Sequence, residues 1–286
     1  MIPKLGFSLQ SKYDRPIEEV LALLKANGFD AVSPVWTPEL DLSALAQCVA
    51  QAGMTIQSLH APLENFALTW QPDDPGSLEV QENVLASLNA CAAFGIPILV
   101  VHSWQGLEYT FPDTPLDYRF FDKLVGEAER KGIIIAFENL EGDEYLDALM
   151  TRYQDKAHVG FCWDSGHDHC YRHKLDFLEH YGHRLMMTHL NDNFGLRDPG
   201  GIPSGKDDLH FLPYDGNIDW QTQLKRLAKA APQQTLNFEI KIVSKSSDYD
   251  DLIYTRLPLE EFMEHAGKTA RQFAERYEAL TREVRL

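Results

Sequence analysis

The chain is predicted to be an α/β protein folded as a single (β/α)8 barrel over residues 1–286. Three observations carry that expectation. Four helical stretches stop at a glycine that opens an apolar run: NGFDAV at 27–32, AGMTIQ at 52–57, FGIPILVV at 94–101 and KGIIIAF at 131–137. A glycine just past a helix end takes the left-handed cap conformation, so each junction reads helix, tight turn, strand. Carried along the chain, the same rule yields eight strands, and the length suits one barrel of ~250 residues with no second domain.

Strand one covers KLGFSL at 4–9. The helix after it, PIEEVLALLKANG, opens with proline in its first turn and closes on Gly28. Further strands are expected near 30–36, 55–60, 96–102, 133–138, 159–164, 185–189 and 235–240, with helices between them. The last helix, LEEFMEHAGKTARQFAERYEAL, carries Phe262, Ala266, Ala270, Phe273, Tyr277 and Leu280 at three-to-four spacing, an apolar stripe for packing on a barrel. Strands alternating with helices imply a parallel sheet, and eight such units imply closure. Residues 191–218 form the longest stretch without a pattern, on the face where strands end, and loops of that length tend to be functional.

Composition narrows the function classes. The chain is 44% hydrophobic and 24% charged, as soluble globular proteins are. No apolar run approaches the ~20 residues that span a bilayer and no charged-then-apolar leader precedes strand one, so no membrane partner and a cytoplasmic location are expected. Cys48, Cys91, Cys162 and Cys170 lack CxxC spacing and read as reduced thiols. The formal net charge of -17 repels nucleic acid and anionic membranes, and no Lys/Arg-rich run offsets it.

The strand ends carry the chemistry. Strand three ends in LHAP with His60, strand four in VVHSW with His102, and strand five in IAFEN with Glu138. Strand six ends in GFCWDSGH with Asp164 and His167, strand seven in MMTHL with His189, and strand eight in LNFEIK with Glu239. In the long loop, DLH adds Asp208 and His210. Singly, each is explained by a cap, an ion pair or a structural hydrogen bond. Together they would crowd charges into a barrel mouth at several kcal/mol each unless paired or metal-bound, so a shared divalent cation is expected.

These motifs resemble the xylose isomerase-like TIM barrel superfamily, which includes sugar-phosphate isomerases and epimerases, ketose 3-epimerases, inosose dehydratases and endonuclease IV-type apurinic endonucleases. The resemblance implies one divalent ion held by Glu138, Asp164, His189 and Glu239, with His167 of the Asp-x-x-His pattern touching substrate and Arg197 following the strand-seven histidine. Its endonuclease branch implies three zinc ions and a larger set that adds His60, His102, His167, Asp208 and His210. Members of the family commonly associate, so a homo-oligomer is expected.

The expected activity is isomerisation or epimerisation of a sugar or sugar phosphate through a metal-stabilised enediolate, with Glu138 and Glu239 as the two bases and His167 holding a substrate hydroxyl. The oxygen-rich set suits Mn²⁺, Mg²⁺ or Co²⁺, and the added histidines shift preference toward Zn²⁺. The alternatives are a multinuclear zinc phosphodiesterase, which the charge disfavours, and an inosose-type dehydratase. A non-catalytic ligand-binding barrel would not gather so many ionisable residues on one face. Arg197 is a candidate for holding a substrate oxygen or phosphate, and Lys241, two residues past Glu239, for sharing its inward side. Trp36, Trp104 and Phe7 are candidates for an apolar wall against the sugar's carbon face. GGIPSGK at 200–206 fits GxxxxGK, but Asp207 stands where a P-loop has Ser/Thr and the stretch joins no strand to a helix, so it is read as a mobile loop with Lys206 in solvent.

Overall fold

The wall of the barrel is laid down in two hydrogen-bonded sections that meet at single bridges. This is seen in a computed structural model that describes residues 1–9, 13–106, 109, 111, 116–171, 173–198, 200–242 and 254–285. The strands are β1 (Lys4–Leu9), β2 (Ala31–Pro34), β3 in two pieces (Thr55–Ile56 and Ser58–His60), β4 (Ile98–His102), β5 (Ile134–Glu138), β6 (Val159–Asp164), β7 (Leu185–His189) and β8 (Thr235–Phe238). β8, β1, β2 and Thr55–Ile56 form one parallel section, and Ser58–His60 with β4 to β7 forms the other. The ring closes where Val35 pairs with His60 and Leu190 with Phe238, both in parallel register. At the second seam Leu190 N–H donates to Asn237 O at 2.9 Å and Glu239 N–H to Leu190 O at 3.1 Å.

Between the strands lie α1 (Ile17–Ala26), α2 (Leu42–Gln51), α3 (Ser77–Phe94), α4 (Arg119–Lys131), α5 (Asp143–Arg152), α6 (Ser165–Cys170), α7 (Phe177–Tyr181), α8 (Trp220–Lys229) and α9 (Leu259–Arg285). The four junction glycines, Gly28, Gly53, Gly95 and Gly132, all have φ between 66° and 92°, as the helix-turn-strand reading requires. All eight expected strands are present. Five are shorter or broken: strand two covers Ala31–Pro34, strand three is interrupted at Gln57, strands four and five begin at Ile98 and Ile134, and strand eight stops at Phe238. Among the described residues no helix is long and apolar enough to cross a membrane.

Side chains alternate between the two faces of each strand, and this period decides what reaches the lumen. Val100, Ala136, Cys162 and Met187 fill one layer inside the barrel. Two residues further along the same strands stand His102, Glu138, Asp164 and His189, in register as His102 with Glu138 and Asp164 with His189. On the other half of the wall, the lumen layer is small and polar: Ser8 Oγ accepts from Asn237 Nδ2 at 2.8 Å, and Ser58 bonds Ser33 at 3.0 Å. Glu239 and His60 stand two residues above Asn237 and Ser58. With Ser8 inward, Phe7 faces outward, fully buried against Phe29 and Phe262. The apolar wall expected of Phe7 is therefore corrected: it is core packing between β1 and the helices.

The α9 stripe packs as read. Phe262, Ala266, Ala270, Phe273 and Tyr277 are buried, and Leu280 lies at its edge. Gly267 sits where α9 crosses the end of α1, and a Cβ built there would lie 2.4 Å from the Asn27 carbonyl oxygen. Backbone cannot yield as a flexible side chain does, so Gly267→Ala is expected to destabilise the fold by about 1–3 kcal/mol. A denaturant midpoint equal to that of the parent chain would contradict this crossing.

Candidate metal centre

The Glu138 carboxylate is fully buried at the mouth of the barrel, and its two oxygens face different partners. Oε1 lies 2.7 Å from His189 Nδ1, while Oε2 lies 2.8 Å from His102 Nε2 and 3.1 Å from His60 Nε2. The same His189 nitrogen is 2.9 Å from Glu239 Oε2. Asp164 completes this corner. Its Oδ1 accepts from the His167 backbone N–H at 2.7 Å, capping α6, and its Oδ2 accepts from Asn191 Nδ2 at 2.8 Å. Asn139 fixes the Asp164 backbone from both sides at 2.8 Å, donating to its carbonyl and accepting from its N–H.

A third corner is built by His167, Asp208 and His210. The His167 Nδ1 nitrogen donates to Asn139 O at 2.8 Å, and His210 Nδ1 to Glu239 O at 3.1 Å. Each Nε2 then faces Asp208 Oδ2, at 3.5 Å and 2.9 Å. His60 repeats the arrangement, with Nδ1 against Ala61 O at 2.7 Å and Nε2 toward Glu138. A carbonyl that holds Nδ1–H leaves a neutral ring's Nε2 as a lone pair, and a lone pair aimed at a carboxylate repels it unless a cation or an extra proton lies between. His102 points the same way: buried among these groups, neither of its ring nitrogens has an aligned hydrogen-bond partner among the described residues. The residues therefore fit metal binding. Donor atoms lie within 4.8 Å of one another in three groups: Glu138, Asp164, His189 and Glu239; His60, Glu138 and His189; and His167, Asp208 and His210.

Comparison with known proteins agrees with this architecture. Residues 21–254 match the family model described as xylose isomerase-like TIM barrel. The chain belongs to the xylose isomerase-like TIM-barrel family. The uncharacterised protein y4fM of Sinorhizobium fredii is 29% identical over 305 aligned positions, covering 90% of this chain and 93% of the relative. Similar solved structures include an IolI protein with a bound zinc atom (TM-score 0.74, 18% identity, 96% of this chain and 99% of that one). An L-ribulose 3-epimerase superposes with a TM-score of 0.72 at 15% identity, covering 99% of this chain and 98% of its own. At such identities these two likenesses speak to the fold.

The buried acids and imidazoles shift one another's proton affinities strongly. Burial pushes the Glu138 carboxyl up, but the His189 and His102 imidazoles outweigh it and hold the acid well below its ordinary value. Asp164 is pushed up to about 7 by burial, with Glu138 and Glu239 adding to it against His167. Burial disfavours the His167 cation, yet Asp164 and Asp208 push that ring up to about 10.

The long loop folds back over the mouth and supplies Asp208 and His210. Asp192 organises it: the carboxylate accepts from Trp220 Nε1 at 2.6 Å and from the backbone N–H groups of Asn193, Tyr214 and Ile218 at 2.9, 3.0 and 3.1 Å. Asp192 and Phe211 also pair as an antiparallel bridge. His210 holds a left-handed φ of 54°, a strained setting for a non-glycine residue that persists only where neighbours fix it. MMTHLNDN thus divides its labour: His189 and Asn191 point to the centre, and Asp192 pins the loop.

The remaining candidates sit around the rim. Trp36 is half-buried, its N–H donating to His60 O at 2.9 Å. Trp104 stacks on Tyr145 at 4.1 Å between ring centroids, with Nε1 donating to Gly106 O. Arg197 lies 3.6 Å from Asp207, whose carboxylate also accepts the Arg197 N–H. Lys241 is half-buried beside the centre, its N–H bonded to His210 O at 3.0 Å. Lys206 is exposed as expected. The sequence reading missed Asn139, Asn191 and Asp192; the only signal was their position directly after, or two to three residues beyond, a ligand-type residue.

Asp192→Ala removes the acceptor for four donors and is expected to cost about 1–3 kcal/mol. Hydrogen exchange should rise across residues 208–218 while β5 and β6 stay protected. Unchanged exchange in that loop would contradict the pinning role.

Proposed function

We propose that the chain is a divalent-metal-dependent isomerase or epimerase acting on a sugar or closely related polyol. The observation that carries this reading is the convergence of two glutamates, Glu138 and Glu239, on one nitrogen of His189 at 2.7 and 2.9 Å, with Asp164 in the same donor group. Two structural relatives support this reading: the L-ribulose 3-epimerase the chemical class, and the IolI protein, with its bound zinc atom, the metal.

A divalent ion held by Glu138, Asp164, His189 and Glu239 supplies Lewis-acid stabilisation to the negative charge that develops when a carbon beside a carbonyl loses its proton. The chain's own residues do the rest. Of Glu138 and Glu239, the one that is ionised removes the carbon-bound proton and the other, protonated in that state, delivers its own proton from the opposite side, which inverts the centre. Return to the adjacent carbon gives isomerisation. His167 Nε2 reaches a substrate hydroxyl, Arg197 and Lys241 flank the opening, and Trp36 and Trp104 line its apolar rim.

A second reading draws on one specific observation: eight residues fall into three donor groups, two of which share Glu138 and His189, and His102 stands 2.8 Å from Glu138 beside them. Three zinc ions in those groups would suit phosphodiester hydrolysis. The net charge of -17 stands against a nucleic acid substrate. Metal content separates the two. One ion per chain and deuterium wash-in from solvent into a ketose are expected; three zinc ions with phosphodiester cleavage and no exchange would overturn the isomerase reading.

Glu138→Gln and Glu239→Gln are each expected to lower the wash-in rate by about 100- to 10,000-fold with an unchanged melting temperature. Parent-like exchange in either variant would remove the two-base mechanism. Metal binding should also release protons. Burial disfavours the His189 imidazolium, but Cys162, Glu138 and Glu239 hold its pKa well above the ordinary value, so the metal-free ring is charged near neutrality. A ligand must be deprotonated, so affinity should rise with pH and calorimetry in two buffers should detect proton release. Zinc binding without released protons would contradict that state.

A further inference from the structure

The two carboxylate oxygens of Asp164 are each tied by one hydrogen bond, Oδ1 to the His167 N–H at 2.7 Å and Oδ2 to the Asn191 amide at 2.8 Å. The first bond is the ordinary cap of α6. The second comes from the neighbouring strand end, two residues past His189. A carboxylate only accepts, so Asn191 must present Nδ2 to it, and Oδ1 turns the other way.

Gly166 makes room for that oxygen. A Cβ built on Gly166 would lie 1.8 Å from Asn191 Oδ1 and 2.9 Å from its Cγ, so the amide occupies the space where any other residue would carry its side chain. Gly166 lies in the first turn of α6 and has no left-handed φ. Alanine would suit a helical backbone better by about 1 kcal/mol, so the glycine answers to the amide and not to the helix.

The backbone around the amide is locked as well. The Ser165 hydroxyl accepts from the Asn191 N–H at 2.9 Å and donates to the Asn191 carbonyl at 2.7 Å, and Asn193 Nδ2 donates to Gly166 O at 2.9 Å. Asp164, Gly166 and Asn191 are all buried.

We propose that Asn191 is the positioning residue of Asp164 and that Gly166 is the slot for its amide. Together they fix the plane in which Asp164 offers its remaining lone pairs to a divalent ion. This rests on the metal-dependent reading and deepens it, whichever reaction the metal serves. One bond to each oxygen stops the carboxylate from turning about its terminal torsion, so little ordering is left for the moment the ion enters.

The test titrates Co²⁺ alone into the whole metal-free protein against a competing chelator and records the visible Co²⁺ absorption at saturation. Asn191→Ala and Gly166→Ala are each expected to weaken Co²⁺ binding about 10- to 100-fold and to alter the spectrum, the first by removing the amide and the second by displacing it. The double variant should bind within about threefold of Asn191→Ala alone and melt no lower than Gly166→Ala, because the added methyl fills the space the amide has left. If Gly166→Ala does not fold, Asn191→Ala and the double variant still decide the matter. A lower melting temperature with parent-like Co²⁺ affinity and spectrum would mark a merely structural role and overturns the proposal. Affinity losses that multiply in the double variant also overturn it, since the methyl would then act independently of the amide. A parent chain that binds no Co²⁺ defeats the metal centre and this role with it, a result distinct from parent-like binding by the variants.

Discussion

One buried carboxylate sets the terms for the rest of the barrel mouth. Glu138 is sealed from solvent and presses its two oxygens against three imidazoles, one of which also meets Glu239. Charges placed this way in a low-dielectric interior are stable only when compensated. The fold provides compensation by geometry: carbonyl groups of Ala61, Asn139 and Glu239 orient three histidines so that the free nitrogen of each turns to an acid. That is the arrangement metal ligands adopt when outer partners fix their tautomers.

The barrel makes the crowding possible because it converts a period of two along each strand into a ring in space. A layer of Val100, Ala136, Cys162 and Met187 fills half of the lumen, and the next layer up is composed of ligand-type residues. The loop after β7 closes the remaining side, and Asp192 holds it there through four donated hydrogen bonds. Core packing outside the wall, with Phe7, Phe238, Phe262 and Phe273 buried between strands and helices, leaves the mouth free to carry polar chemistry.

Much of this was legible in the residues. The junction glycines marked helix ends because their backbone angles admit few alternatives, and Glu138, Asp164, His189 and Glu239 were visible because ligand types recur where strands stop. Facing was harder to read. Phe7 and Ser8 compete for the lumen, and only the register with β2 and β8 decides that Ser8 wins. Trp104 looked like a sugar platform, yet one of its faces lies on Tyr145. Asn139, Asn191 and Asp192 act through hydrogen bonds to distant backbone, and such contacts have no local pattern.

The most direct test of the central claim is anomalous X-ray diffraction from crystals of the purified protein, collected on both sides of the zinc and manganese edges. The account predicts an anomalous peak about 2.0–2.2 Å from donor atoms of Glu138, Asp164, His189 and Glu239. No peak at saturating metal, with those four side chains bonded only to one another, would contradict it.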